Sequence, residues 1–239
     1  MLRTIAIGVV LLVGWCLYSG VGADEPARTP PALPPSASDS PAQAEIEARL
    51  RQPVMIELFN ESLQSAIAKI AERNGLDMQL DNKALADAAI DSNVAVTFKT
   101  SRPIPLATAL ERMLEDFELT YVPVQGMISV TSREKADGIL MTRIYPIEDL
   151  VGGGLMFGGD RRRPNLNPIV ALIEDTIAPD SWDTNSGVGV VKPFYVHGGW
   201  TLVVANTYHV QTQVAALLAD LRAVKHEYGS APVTRTVVP

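Results

Sequence analysis

From Val54 onward the hydrophobic period of the chain switches repeatedly, and each switch marks an element. VMIELFN, Val54 to Asn60, carries the branched and aromatic content of a strand. NESLQSAIAKIAERNG then puts Leu63, Ala66, Ile67, Ile70 and Ala71 on one helical stripe, with Asn60 or Ser62 as N-cap and Gly75 as the stop. LDMQLD and NVAVTFK read as strands, the second with Val94, Val96 and Phe98 on one face. Pro103 and Pro105 stand where the start of a helix tolerates them, and Leu106, Ala109, Leu110, Met113 and Leu114 follow at helical spacing. LTYVPV and MISVTS, separated by Gln125-Gly126, make a hairpin.

A second run begins with the strand ILMTRIYPI, Ile139 to Ile147. NPIVALIEDTIAPDSW predicts a helix capped by Asn167, with Pro168 in its first turn, Ile169, Leu172, Ile173 and Ile177 as its stripe, and Pro179 as its end. VGVVKPFYVHGGWTLVVAN reads as two strands joined by Gly198-Gly199. HVQTQVAALLADLRAV places Val210, Val214, Leu217, Leu218 and Leu221 on one helical face. The fold class is therefore α+β, with βαββαββ over residues 51–137 followed by βαββα over 138–225, the latter close in topology to KH domains. VGGGLMFGGDRRRPNLN interrupts the second run. Its glycines lack GK[ST] and do not open a helix directly after a strand, so a Gly/Arg-rich surface loop at 152–166 is expected in place of a phosphate site.

The ends of the chain set its context. Arg3 precedes the apolar run IAIGVVLLVGWCLY, which is short for a membrane span, and Val21-Gly22-Ala23 supplies small residues for cleavage between Ala23 and Asp24. Residues 1–23 read as a secretory signal peptide, with an uncleaved anchor as the alternative; Trp15 before Cys16 argues against a lipid attachment site. DEPARTPPALPPSASDSPAQAE begins a Pro/Ala/Ser-rich disordered linker, residues 24–50, and residues 226–239 read as a flexible tail. The location implied is periplasmic or otherwise exported, with no membrane span once the signal is removed.

Export removes Arg3 and no acid, which takes the formal charge from −7 to −8, and it removes the single cysteine. An acidic chain has no electrostatic footprint for phosphate backbones, so nucleic acid is excluded as a partner. A KH-type GxxG loop between helices is also missing. Cysteine nucleophiles, thiolate metal sites and disulfides fall away together.

The remaining chemistry is sparse. His197, His209 and His226 have no neighbour at the spacing of a helical metal site. Glu115 with Asp116, and Glu174 with Asp175, are adjacent and point apart on a helix. Asp180, Ser181 and His197 could be written as a nucleophile system, but no GxSxG turn supports it. The expectation is a protein that is not an enzyme and carries no cofactor or metal. Arg161-Arg162-Arg163 is the only basic run. It is either a solvated loop or an interaction loop for an acidic partner or an anionic envelope polymer.

A resemblance joins these pieces. VTF, a short proline-bearing turn, LATALERML and LTYVPVQGMISVTS resemble the small N-terminal domain shared by secretins and the signalling segment of TonB-dependent receptors. RIYPI, WTLVVAN and the closing HVQTQVAALLADLRAV helix resemble the repeated periplasmic N-domains of secretins, of the N1-like kind. The likeness runs from about Val54 to Lys225. It implies two helices lying against two small sheets in the first unit, docking as the mode of action, and envelope proteins, self-association or a secretion or pilus-type assembly as partners. Secretins and TonB-dependent receptors continue into a pore-forming barrel whereas this sequence ends at Pro239, so a protein-interaction or assembly module without a channel of its own is expected. A sensor or binding module for a small ligand or envelope polymer is the alternative.

Overall fold

The structure is a computed structural model, described over residues 41–151, 159–160, 163–196 and 198–230. Ala23, Asp24 and the first part of the expected linker lie outside the described residues. The last part of that linker is a helix, α1 (Pro41–Leu50). Proline is tolerated in a first helical turn, and AQAEIEARL after it consists largely of strong helix formers. Ile46 and Leu50, one turn apart, are buried in the first of two hydrophobic cores. Two apolar side chains at helical spacing outweigh the polar composition around them.

That first core collects small sheets and their helices. VMIELFN divides into β1 (Pro53–Val54) and β2 (Glu57–Ser62), because Ile56 between them exchanges hydrogen bonds with Thr100: its N–H donates to Thr100 Oγ1 at 3.0 Å, and its carbonyl accepts from the Thr100 N–H at 3.0 Å. α2 (Leu63–Asn74) starts at Ser62, whose hydroxyl accepts from the Ser65 N–H at 3.2 Å, and stops at Gly75, which takes the left-handed conformation (φ +61°) that a side chain would resist. β3 (Met78–Leu80) leads into α3 (Asn82–Asp87), a helix the hydrophobic period does not announce. Its signal is the cap, Asp81 Oδ1 accepting from the Ala84 N–H at 3.1 Å.

β4 (Ala95–Lys99), β5 (Ile104–Pro105), α4 (Leu106–Glu115), β6 (Leu119–Val124), β7 (Met127–Ser132) and α5 (Arg133–Asp137) complete this part. β1 pairs with β5, β2 with β4, and a third sheet has the order β3-β7-β6, with β3 parallel to β7. The whole expected stripe of α4, Leu106, Ala109, Leu110, Met113 and Leu114, is buried. β6 is buried on both faces from Leu119 to Pro123, with α1, α4 and α5 in contact with it.

The second core is built on one sheet. β8 (Met141–Pro146) is followed by α6 (Glu148–Val151), the short hairpin β9 (Gly159–Asp160) and β10 (Arg163–Pro164), and α7 (Asn167–Thr176). The expected loop at 152–166 thus includes a paired hairpin, and Leu166 at its end is buried. Asn167 is the first residue of α7 and not its cap; Asn165 Oδ1 instead accepts its N–H at 3.1 Å. β11 (Val190–Val196), β12 (Gly199–Asn206) and α8 (Tyr208–Ser230) close the fold. α8 continues five residues into the expected tail, since HEYGS contains no proline to end it. The sheet order is β11-β12-β8, antiparallel throughout. Ile147, Ile169, Ile173, Trp182, Leu202, Val204, Val214 and Leu218 are fully buried together, and the Trp182 indole N–H donates to the Ile177 carbonyl at 2.7 Å.

The two cores are tied by reciprocal contacts. Tyr208, the first residue of α8, packs into the first core 5.9 Å from the Tyr121 ring. Arg143 of β8 reaches back to Glu47 of α1 as a buried ion pair, and its guanidinium lies 5.8 Å from the Tyr208 ring centroid. Burial pushes the Tyr208 phenol up to about 12, with Glu47 adding to the shift, and burial holds Tyr121 above the ordinary phenol range. Both rings therefore act as neutral packing groups. Beside them, Gln211 uses its amide nitrogen on the Met141 carbonyl (2.8 Å) and the Val204 carbonyl (2.9 Å), while Tyr145 donates to its side-chain oxygen at 2.8 Å.

Candidate interaction surface

Alternation along the β11-β12-β8 sheet sorts its side chains into two faces. Leu202 and Val204 point into the second core, and the register places Arg143, Tyr145, Val191 and Tyr195 on their side. The opposite face is formed by Thr142, Ile144 and Pro146 of β8, Thr201, Val203 and Ala205 of β12, and Val190, Lys192, Phe194 and Val196 of β11. An antiparallel sheet covered on one side ordinarily shows polar residues to water on the other. Here seven of the ten are apolar, and among the described residues none of them joins either core. Val203 sits at the centre, paired with Ile144 on one side and Lys192 on the other.

β11 is also the edge of that sheet, and among the described residues only part of the edge is covered. The Gly189 N–H donates to the Ser181 carbonyl at 2.7 Å, and the Gly189 carbonyl accepts from the Asp183 N–H at 2.7 Å. Residues 181–183 thus lie along the outside of the strand entry. A side chain could not replace Gly189, because a Cβ there would stand 2.1 Å from Asn206 Nδ2 and 2.7 Å from the Ser181 carbonyl oxygen. Beyond this point Lys192 to Val196 are exposed in succession, with Phe194 and Tyr195 at 60 % and 58 %.

The backbone direction at this edge follows from the same contacts. Gly189 turns its N–H and C=O outward, so Val191, Pro193 and Tyr195 do likewise, while Lys192 and Phe194 face β12. Two observations agree. Pro193 has no N–H to give β12, and the Thr201 hydroxyl donates to the Phe194 carbonyl at 2.9 Å. Tyr195 meets Trp200 edge to face at 5.2 Å between ring centroids, which stiffens the end of the strand.

A second exposed aromatic lies far along the chain. The β2–β4 register slips between Leu58 and Glu61, leaving Phe59 and Asn60 opposite one residue, and Asn60 adopts φ +49°. The bulge turns Phe59 out to 82 % exposure.

The residues singled out from sequence are scattered. Arg161, Arg162 and His197 lie outside the described residues. The Arg163 backbone pairs with Asp160 in the short hairpin. His226 is exposed on α8. His209 is exposed, with Nε2 hydrogen bonded to Thr120 Oγ1 at 3.0 Å, and so joins the seam between the cores. Ser181 accepts from Asn206 Nδ2 at 3.0 Å. Burial, with Asp183 nearby, raises the Glu174 carboxyl above its ordinary value.

Two clefts flank His209. One of about 420 Å³ is lined by Glu111, Arg112, Glu115, Arg133 and Asp137; another of about 530 Å³ is lined by Asp180, Ser181, Asn206 and Gln213. The charged groups of the first are exposed and of both signs. The strands of the apolar face are legible in the sequence but the face itself is not, because alternation shows that a strand has two sides and not which side joins a core.

Among the described residues no helix is long and apolar enough to cross a membrane. No family model and no curated protein matches the chain. Solved structures with similarity to parts of it include the N-terminal domain of the secretin XcpQ from Pseudomonas aeruginosa, at 12% identity over 71% of this chain and 65% of that one, with a TM-score of 0.26. A chain of the GspC–GspD complex from the type II secretion system of enterotoxigenic Escherichia coli is 15% identical over 73% of this chain and 99% of that one, with a TM-score of 0.27. A chain of the Salmonella injectisome base containing InvG is 7% identical over 72% of this chain and 95% of that one, with a TM-score of 0.26. The present chain spans about two thirds of the length of the XcpQ chain.

Proposed function

We propose that this chain is a non-enzymatic, exported cell-envelope module that acts by protein interaction or assembly, and that the half-buried apolar face of the β11-β12-β8 sheet, which joins neither core, is its working surface. The observation that carries the reading is the apolar character of that face, centred on Val203 and continued by Phe194 and Val196 to a partly open edge. Contiguous exposed apolar area is costly to leave in water and marks contact sites. The leader-like N-terminus and the secretin-like sequence pattern support the envelope setting.

Site-specific photo-crosslinking tests the surface. A photoreactive side chain at Val203 should yield covalent protein adducts in envelope preparations, whereas one at Asp116, exposed at the end of α4, should not. Absence of any adduct at Val203, or equal adducts at both positions, would overturn the assignment.

A further inference from the structure

Resting on the interaction reading above, the parity of β11 goes further and selects an occupant for the open edge. We propose that β11 pairs antiparallel with β11 of a second copy of this chain, about a two-fold axis through Phe194. The covered part of the edge ends at Gly189, where residues 181–183 occupy the outward hydrogen-bonding groups. The exposed stretch, Lys192 to Val196, is symmetric about Phe194. A two-fold through that residue uses the whole stretch.

The hydrogen bonds close in this register. Pro193 and Tyr195 both turn their polar backbone groups outward, and the two-fold sets Pro193 of each copy opposite Tyr195 of the other. Each Tyr195 N–H then donates to the opposing Pro193 carbonyl, giving two bonds by symmetry. A two-fold through Pro193 would face two residues that lack the donor, and neither could bond the other. Phe194 meets its own copy as a non-hydrogen-bonded pair, the closely spaced kind in which aromatic side chains pack best, on the bare apolar face. Val196 lies opposite the aliphatic stem of Lys192. The product is one six-stranded sheet whose two bare faces run together.

Pro193 also sets the strength. It removes one donor from each Pro193–Tyr195 pair, so the edge accepts its own copy weakly and resists unrelated strands. Both copies are acidic, so added salt should favour association by screening their repulsion.

Sedimentation equilibrium of the purified exported chain tests this. The wild type should show a reversible, concentration-dependent monomer–dimer equilibrium. Pro193→Val restores two donors and should tighten the dimer about tenfold or more. Phe194→Asp sets two carboxylates across the axis and should give a monomer. That residue is exposed, so an unchanged near-ultraviolet circular dichroism spectrum is expected and separates loss of pairing from loss of fold. Hydrogen exchange at the Tyr195 amide should slow with rising protein concentration in the wild type and not in Phe194→Asp. A wild type and a Pro193→Val variant that both stay monomeric would overturn the pairing, as would a dimer untouched by Phe194→Asp or assembly beyond dimers. If the pairing fails while Val203 still cross-links to another protein, the interaction surface stands and only its second-copy occupant falls.

Discussion

The two three-stranded sheets of this protein have the same size and opposite fates. In β3-β7-β6 the strand β6 is buried from Leu119 to Pro123, and Thr120 and Thr131 are drawn inside with it. In β11-β12-β8 the edge strand is exposed from Lys192 to Val196. Strand composition does not explain the difference, since LTYVPV and VVKPFYV are nearly interchangeable in branched, aromatic and proline content. What differs is the number of layers. α1, α4, α5 and Tyr208 close around the first sheet, whereas α6, α7 and α8 serve one face of the second. A sheet with two covered faces is a core, and one with a single covered face has a surface left to use.

The contrast can be broken most severely at Leu110. It is fully buried against the first sheet, so Leu110→Asp places an uncompensated carboxylate in the core and should cost about 4 kcal/mol or more. The expected result is loss of the cooperative thermal transition; an unchanged melting temperature would mean the α4 face is misassigned. Removing residues 41–50 should come next. It strips Ile46 and Leu50 from the first core, at roughly 1.5–3 kcal/mol for each fully buried side chain. A fragment of residues 51–137 should consequently melt well below one of residues 41–137, as followed by circular dichroism.

A matched pair then sharpens the comparison. Val130 is fully buried in β7, and Val203 is half-buried on the face of β12 that joins neither core. Val130→Thr buries a hydroxyl and should cost about 1–3 kcal/mol. Val203→Thr should stay within about 0.5 kcal/mol. Equal costs in urea denaturation would show that the second sheet is covered after all.

The smallest effect concerns acid. Lys135, 2.5 Å from Asp81 Oδ2, holds the Asp81 carboxyl below its ordinary value. A lowered carboxyl pKa contributes stability that is present at neutral pH and is lost as pH falls through the carboxylate range to the lowered value. Asp81→Asn should therefore lower the melting temperature slightly at neutral pH and leave it close to wild type at about pH 3. A deficit that persists in acid would point to the α3 cap as its source.

Local sequence determined a large share of this molecule. The stripes of α2, α4, α7 and α8 and the strands around them could be read because helical and strand periods are written in neighbouring residues, and caps such as Ser62 and Gly75 mark the ends. α1 was hidden because Ile46 and Leu50 sit in a stretch whose average composition is that of a linker, and two side chains matter only when a core exists to receive them. α3 and α5 were hidden because each is a single capped turn or little more, too short for a period to show. Tertiary structure alone decided that Arg143 would find Glu47, that Tyr208 would enter the first core, and that among the described residues one face of the second sheet would join neither core. Each of these joins residues far apart in the chain, and burial depends on which layers meet, a property of the packed whole that no window of sequence contains.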